Sequence, residues 1–380
     1  MTSTATKPNR APRRVLIAQK FASLGGAQVS LVHHIKLLDR SRFEPYVVVS
    51  NEGWLTKQLD ALGVSWSLMK FGHWTNPLAF PGNARLVWRL RRVIREQQIE
   101  LVHANEHWVG PPAYYAARLT KIPSICHFRT GLEDLTPARV RKYLYRYFDR
   151  VIVVAEVLRQ AIVRNLPDPS RVFVVRDGVE PPAAAPSKRR SRRRKIIINV
   201  GALYEVKGQA KILERSLPWL KENRSHYLVF VGGTRTAPSY VDDMRRLVAH
   251  ENLQRQVLFL GSREDVPRLL GMADALVAYS TVEGIPRVVM EAMFAGLPVI
   301  VSNTPGMDEV VSGEVGAIVN FEAKDNELAG ALRDLSSRPE HWVQLGQQAY
   351  SRALDRYSTQ AMSAGIQSIY TALLEKPADA

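Results

Sequence analysis

Residues 274–302 read DALVAYSTVEGIPRVVMEAMFAGLPVIVS, which parses as an apolar strand, a short loop, a helix, a tight turn and a second apolar strand. Pro286 suits the first helical position, where its missing N–H costs nothing and its fixed φ is already helical. Gly296 suits the end of the helix, and Pro298 prevents its continuation. Outward from this unit the same alternation recurs. RRVLIAQ, YVVVS, ELVHA, SICHF, RVIVVA and FVVRDG read as strands of a first half. IIINVGAL, YLVFVGG, VLFLGS, DALVAYS and PVIVS read as strands of a second. These apolar runs are continuous rather than alternating, which indicates parallel sheets covered by helices on both faces. The expected fold is α/β, with two Rossmann-like doubly wound domains facing a central cleft.

Between the halves, PPAAAPSKRRSRRRK (Pro181 to Lys195) passes from proline and alanine into a charge run that no core accepts. The expected division is an N-terminal domain at 1–186 with a disordered leader at 1–12, and a basic linker at 187–195. A C-terminal domain follows at 196–360, then a last helix at 361–380 that is free to cross back to the first domain.

A chain of 380 residues exceeds what one hydrophobic core usually serves. Its apolar content of 46% fits a globular protein. No apolar run reaches the ~18 residues that span a bilayer, and MTSTATKPNRAPRR lacks the apolar segment of a secretion signal. Cys126 is the only cysteine, so an intramolecular disulfide is excluded and a cytoplasmic protein is expected. The net charge of +16 is uneven: +13 on residues 1–187, +7 on KRRSRRRK (188–195) and −4 on 196–380. So basic a first half should approach something anionic.

The helix that opens near Pro286 is where chemistry is expected. The N–H groups of Arg287, Val288 and Val289 should lie in its first turn without intrahelical partners, pointing with the positive helix end beyond the carboxyl side of the sheet. That arrangement suits a diphosphate. Glu283 precedes it in the loop and Glu291 lies within the helix. Either glutamate alone is more often a helix-terminal charge or a solvated residue. Together with Gly284, Pro286 and the strand–helix–strand setting they read as ligand-facing, Glu291 toward a vicinal diol such as a ribose.

EGIPRVVMEAMFAGLPVI (Glu283 to Ile300) resembles the signature of the retaining glycosyltransferases of GT-B fold, glycosyltransferase family four, or glycosyl transferases group 1. Further segments resemble that family in order along nearly the whole chain. SLGGAQVSLVHHIKLL (Ser23 to Leu38) is similar to its glycine-rich loop and first helix. LVHANEH (Leu101 to His107) and ICHFRTG (Ile125 to Gly131) are similar to strand ends facing the cleft. VVRDGVE (Val174 to Glu180) is similar to the segment closing the first domain, and NVGALYEVKGQ (Asn199 to Gln209) to the phosphate-binding loop of the second.

The resemblance implies roles residue by residue. Glu283, His127 and Lys207 become the candidate catalytic residues. Glu283 would contact the donor sugar's hydroxyls, and His127 would lie near that sugar. Lys207 would neutralise the diphosphate, whose charge must be stabilised as the glycosidic bond breaks. Glu291 would hold the ribose hydroxyls. Gly25 and Gly26 would let backbone approach the phosphates, and Gly284, Ile285, Arg287 and Val288 complete the donor-binding set. The implied reaction retains the anomeric configuration: the acceptor hydroxyl attacks from the face the diphosphate leaves, and a diphosphate oxygen takes the proton. Neither metal nor cofactor is expected. Two departures from the family stand out: Ala202 where an arginine is common, and Asp177 where asparagine is commoner.

Blander readings stand beside these. Lys207 could be a surface lysine and His127 a satisfied core histidine; Gly208 and the preceding strand favour function for Lys207. His103, Glu106 and His107 lie on a strand end and loop rather than at helical i, i+4 spacing, so they are not read as metal ligands. The expected partners are a UDP- or GDP-sugar and a hydroxyl of a glycan or lipid-linked acceptor in surface polysaccharide or glycolipid synthesis. ARLVWRLRRVIREQQ (Ala84 to Gln98) and ARVRKYLYRYFDR (Ala138 to Arg150) read first as amphipathic helices with buried apolar sides. Either could instead lean on an anionic membrane surface at the inner face. Two other classes stay open: a nucleotide-sugar epimerase of the same architecture, and a nucleic-acid-binding protein. Nucleic acid is not expected, because no recognition motif accompanies the charge.

Overall fold

The computed structural model describes residues 11–72, 74, 80–129, 147–182, 194–234, 239–280, 286–304, 306–311 and 313–375. The chain divides into two compact units, Met1–Gly178 with Thr359–Ala380, and Val179–Ser358.

The first unit is built on seven parallel strands: β1 (Arg13–Gln19), β2 (Phe43–Val49), β3 (Trp66–Leu68), β4 (Leu101–Ala104), β5 (Ser124–Phe128), β6 (Arg150–Val153) and β7 (Val172–Val174). Their order is β3-β2-β1-β4-β5-β6-β7. Successive side chains point to opposite faces, so one strand feeds two cores. Val15 and Ile17 of β1 join a cluster with Leu31 and Ile35 of helix α1 (Gly26–Lys36), Leu55 and Leu59 of helix α2 (Trp54–Ala61), and Ile366 and Tyr370 of the helix Thr359–Leu374. Leu16 and Ala18 join the opposite cluster with Leu90 and Ile94 of helix α3 (Phe80–Glu96) and Ala113 and Ala117 of helix α4 (Gly110–Thr120). Both faces are dry, which is why these strands read as unbroken apolar runs. Each such Val, Leu or Ile contributes roughly 1.5–3 kcal/mol by burial.

The second unit repeats the plan with β8 (Ile196–Val200), β9 (Tyr227–Val231), β10 (Val257–Phe259), β11 (Ala275–Ala278), β12 (Val299–Ser302) and β13 (Gly316–Val319), in the order β10-β9-β8-β11-β12-β13. Here Leu276, Val299 and Val301 face one cluster, while Ala275, Val277 and Ile300 face the other. All eleven expected strands are present, two of them with the expected bounds and the others shifted or shortened at their ends, and the α/β class holds. The edge strands β3 and β13 were not expected from the sequence. Among the described residues no helix is long and apolar enough to cross a membrane.

Candidate functional site

Each sheet reverses its strand order beside its first strand, between β1 and β4 and between β8 and β11. At such a switch point neighbouring loops leave toward opposite faces and open a crevice beyond the carboxyl ends of the strands. Of the residues singled out from the sequence, those within the described residues fall at the carboxyl ends of these two sheets.

In the second unit, β8 runs into a short turn, Glu205–Lys207, and then the helix Gln209–Glu222. Gly208 joins them at φ 54, and a Cβ there would lie 2.0 Å from the Tyr279 ring. No other residue fits, so the turn that carries the half-buried Lys207, seven residues past the end of β8, depends on the glycine that follows it. Beyond the strands the loops lie in register: Leu203 N–H donates to the Gly233 carbonyl at 2.9 Å and Gly232 N–H to that of Gly261 at 2.8 Å. A Cβ on Gly232, at φ 150, would stand 1.9 Å from the Gly201 carbonyl oxygen. Ala202 leaves its place without a cation, and its carbonyl accepts from Gln209 Nε2 at 3.0 Å.

On the other side of the switch point stands the helix Arg287–Phe294. It starts one residue later than the sequence suggested. Pro286 is the N-cap, at φ −71 and ψ 113, and not the first helical residue. Its carbonyl accepts from Val289 N–H at 3.0 Å, so the expectation of an unpaired Val289 amide is corrected. Val288 occupies the second helical position. Arg287 Nε lies 3.3 Å from Glu291 Oε1, an i, i+4 ion pair with each side chain about one-third exposed (34% and 33%). Arg287 therefore already holds one oxygen of the carboxylate expected to grip a diol. Burial pushes the Glu291 carboxyl above its ordinary pKa, while Arg287 pulls it back. Glu283, Gly284 and Ile285 lie outside the described residues.

In the first unit, Gly25 is the N-cap of α1 with extended backbone, and Gly26 is the first residue of that helix. A Cβ on Gly26 would meet nothing within 4 Å, while one on Gly25 would come 2.7 Å from Gln28 Oε1. Gln28 Nε2 donates to the Phe21 carbonyl at 3.1 Å and ties this loop.

A polar network that the sequence did not reveal runs across the carboxyl edge of the first sheet. Gln19 ends β1, Asn105 follows β4, and His127 and Arg129 lie at and just past the end of β5. Asn105 Nδ2 donates to Gln19 Oε1 at 2.7 Å. Arg129 Nη2 donates to Asn105 Oδ1 at 3.2 Å and to His127 Nδ1 at 3.1 Å. The Arg129 guanidinium, only 5% exposed, is ion-paired with Asp177 beyond β7. This accounts for Asp177 where the family resemblance suggests asparagine: a buried guanidinium needs a counter-charge. The signal that could have found it was the set of polar residues at, or within three positions of, the ends of the apolar strands.

His127 is fully buried. Since its Nδ1 accepts from Arg129, its proton belongs on Nε2. That N–H meets no acceptor among the described residues. His127 also stacks on His103, centroids 5.6 Å apart. His103 Nδ1 lies 2.7 Å from the Tyr370 hydroxyl, and His34 Nδ1 lies 3.0 Å from Ser363 Oγ.

Burial holds these three imidazoles neutral. It lowers His34 to about 3, with the Arg129 charge adding to the effect. His103 and His127 are likewise well below the ordinary value, through burial first and neighbouring positive charge second. Unfolded histidines titrate at about 6.5, so stability is complete above that pH and is lost as pH falls toward the folded values. Three such groups can remove about 4 kcal/mol per pH unit at the steepest point. Glu106, whose carboxyl burial pushes up, and Glu291 act in the opposite sense at lower pH. The expected result is a melting temperature that falls markedly from pH 7 to pH 5. A flat profile over that range would show that the histidines are not held neutral. Among the described residues, no three His, Cys, Asp or Glu side chains gather as metal ligands.

Two family models match successive stretches of the chain. Residues 24–181 match Glycosyltransferase Family 4, and residues 183–352 match Glycosyl transferases group 1. An Escherichia coli relative, UDP-Gal:alpha-D-GlcNAc-diphosphoundecaprenol alpha-1,3-galactosyltransferase, is 24% identical over 84% of this chain and 87% of its own length. The crystal structure of Anabaena HepE in complex with UDP and glucose is 19% identical and shares the fold with a TM-score of 0.74, covering 94% of this chain and 99% of the other. A glycosyltransferase from Rickettsia africae, 20% identical, gives a TM-score of 0.79 over 97% of this chain and 100% of its own.

Proposed function

We propose, from the premise that this chain belongs to the glycosyl transferases of group 1, family four, and is a glycosyltransferase of EC 2.4 type with the GT-B fold, that it is a retaining enzyme. It moves a hexose or N-acetylhexosamine from a nucleotide-diphosphate sugar to a hydroxyl of a glycan or lipid-linked acceptor in surface polysaccharide or glycolipid synthesis. The observation that carries this reading is the pair of elements flanking the second sheet's switch point. Lys207 stands after β8, and the N-terminus of Arg287–Phe294 stands after β11, with Glu291 inside that helix.

The chemistry follows from charge. As the bond to the diphosphate breaks, negative charge grows on its oxygens; the Lys207 ammonium, the Arg287 guanidinium and the helix end offset it. Glu291 accepts from the ribose hydroxyls, with Arg287 holding its carboxylate in place. In this reading His127 is the first unit's residue assigned to the donor sugar; its Nε2–H is buried and meets no acceptor among the described residues. Glu283, Gly284 and Ile285 complete the donor set in this reading, and Gly25 and Gly26 are the glycines assigned to a phosphate; a Cβ on Gly26 would meet open space, while at Gly25 that space is taken by Gln28. Positive charge comes from the protein, so no metal or cofactor is invoked. A UDP-sugar is favoured over a GDP-sugar, because the E. coli relative is named for UDP-Gal and HepE was solved with UDP and glucose. A cytoplasmic enzyme, peripheral on the inner membrane face, fits the lipid-linked acceptor named for that same relative. Family membership sets aside the epimerase and nucleic-acid readings.

The test is a thermal-shift panel of UDP-glucose, UDP-galactose, UDP-N-acetylglucosamine, GDP-mannose and ADP-glucose. A ligand at about a hundred times its Kd stabilises by about 2.7 kcal/mol, a shift of several degrees. One nucleotide class should give it, and Glu291→Ala should remove it. An unmoved melting temperature across the panel would overturn the donor reading.

A further inference from the structure

Helix α3 packs Leu86, Val87, Leu90 and Ile94 into the first unit's core. Its outer stripe consists of Arg85, Trp88, Arg89, Arg92, Arg95 and Glu96, all exposed and spaced at three and four residues. From Phe80 to Arg95 the sequence holds no acidic residue. Glu96 is the single acid of the stripe, and it pairs with Arg92. A merely solvated helix face usually mixes both signs. At the centre stands Trp88, 59% exposed, with the Arg91 guanidinium 4.7 Å from its ring. On α4, which packs beside α3, Tyr115 and Leu119 are exposed as well. An open hollow of about 350 Å³ where the two helices end is lined by Ile94, Ile99, Leu119 and Ile122, together with Arg95 and Lys121.

Arginine forks match phosphate oxygens. An exposed tryptophan is stable where an apolar layer meets water, its ring in the first and its N–H toward the second. A helix with one apolar side already in the protein and an arginine–tryptophan stripe outside is built to lie along a charged interface. We propose that the outer face of α3, with Trp88 at its centre and Arg85, Arg89 and Arg92 around it, docks this protein on an anionic lipid bilayer. The inference deepens the membrane reading above and rests on it, but is independent of donor chemistry. The second basic stretch, Ala138 to Arg150, lies outside the described residues except for its last four, 147–150.

The experiment is co-sedimentation with phosphatidylcholine vesicles, with and without phosphatidylglycerol, without any sugar. The full chain should bind the anionic vesicles only, and salt should weaken binding as the Debye length shrinks below about 10 Å. The triple variant Arg85→Gln, Arg89→Gln, Arg92→Gln should bind about a hundredfold more weakly. The variants alter only exposed side chains, so an unchanged melting temperature is the folding control. Anionic vesicles should also shift the tryptophan emission to the blue, and Trp88→Phe should abolish that shift. Equal binding by wild type and triple variant would overturn the assignment to α3 while leaving membrane attachment standing. Failure of the wild type to bind would overturn both and leave glycosyl transfer untouched. Preferential retention on duplex RNA at physiological salt would replace the bilayer by nucleic acid and overturn the proposal.

Discussion

Asp177→Ala is expected to destabilise the first unit by about 3 kcal/mol, near the lower end for breaking a buried ion pair. The substitution strands the guanidinium of Arg129, which is 5% exposed, among Asn105 and His127. Asp177 itself is 24% exposed, so the converse change, Arg129→Met, leaves a carboxylate that still reaches water and should cost less. Asp177→Asn keeps an acceptor and loses only the charge, with an intermediate cost of roughly 1–2 kcal/mol. Urea midpoints for the single variants and for Arg129→Met/Asp177→Ala form a cycle in which the double variant recovers part of the loss. An Asp177→Ala protein with the wild-type midpoint would show that the pair does not matter to the fold.

Lys207→Ala is expected to lower kcat/KM by about 10²–10³, the usual cost of removing one preorganised group from a developing anion. The argument is sharpened by Ala202. Where the family resemblance suggests a second cation on the same loop, this chain has a methyl group, and the Ala202 carbonyl is already taken by Gln209. On the proposed donor reading, Lys207 then has more of the diphosphate charge to offset. The measurement is release of UDP from UDP-glucose or UDP-galactose, whichever stabilises the protein. The loss should fall on kcat as well as KM, because the charge grows in the transition state. Lys207→Arg should retain more activity than Lys207→Ala. If the alanine variant keeps more than about a tenth of wild-type activity, the role assigned to Lys207 is wrong.

The fold was legible because parallel strands buried on both faces leave unbroken apolar runs such as VLIAQ and VVVS. β3 and β13 escaped for the same reason in reverse. They sit at sheet edges, are three and four residues long, and expose Leu68 and Ile318. Pro286 is the N-cap and not the first helical residue, a difference of one position that local sequence does not resolve because a proline fits both places. Lys207 and Glu291 could be singled out from the sequence because the strand, turn and helix that position each of them are consecutive in the chain. Arg129 and Asp177 are 48 residues apart, and nothing local announces that they meet. Asp177 had no explanation until the sheet order brought β5 and β7 onto one edge.

The first unit is discontinuous: its sheet comes from the early residues, but one of its covering helices is Thr359–Leu374. Without that helix, Val15, Ile17 and Ile35 lose Ile366 and Tyr370, and His103 and His34 lose the hydroxyls of Tyr370 and Ser363. The second unit, Val179–Ser358, is one uninterrupted segment. During vectorial synthesis the second unit can therefore close before Thr359–Leu374 is made, while the first unit is completed only once that helix has been added.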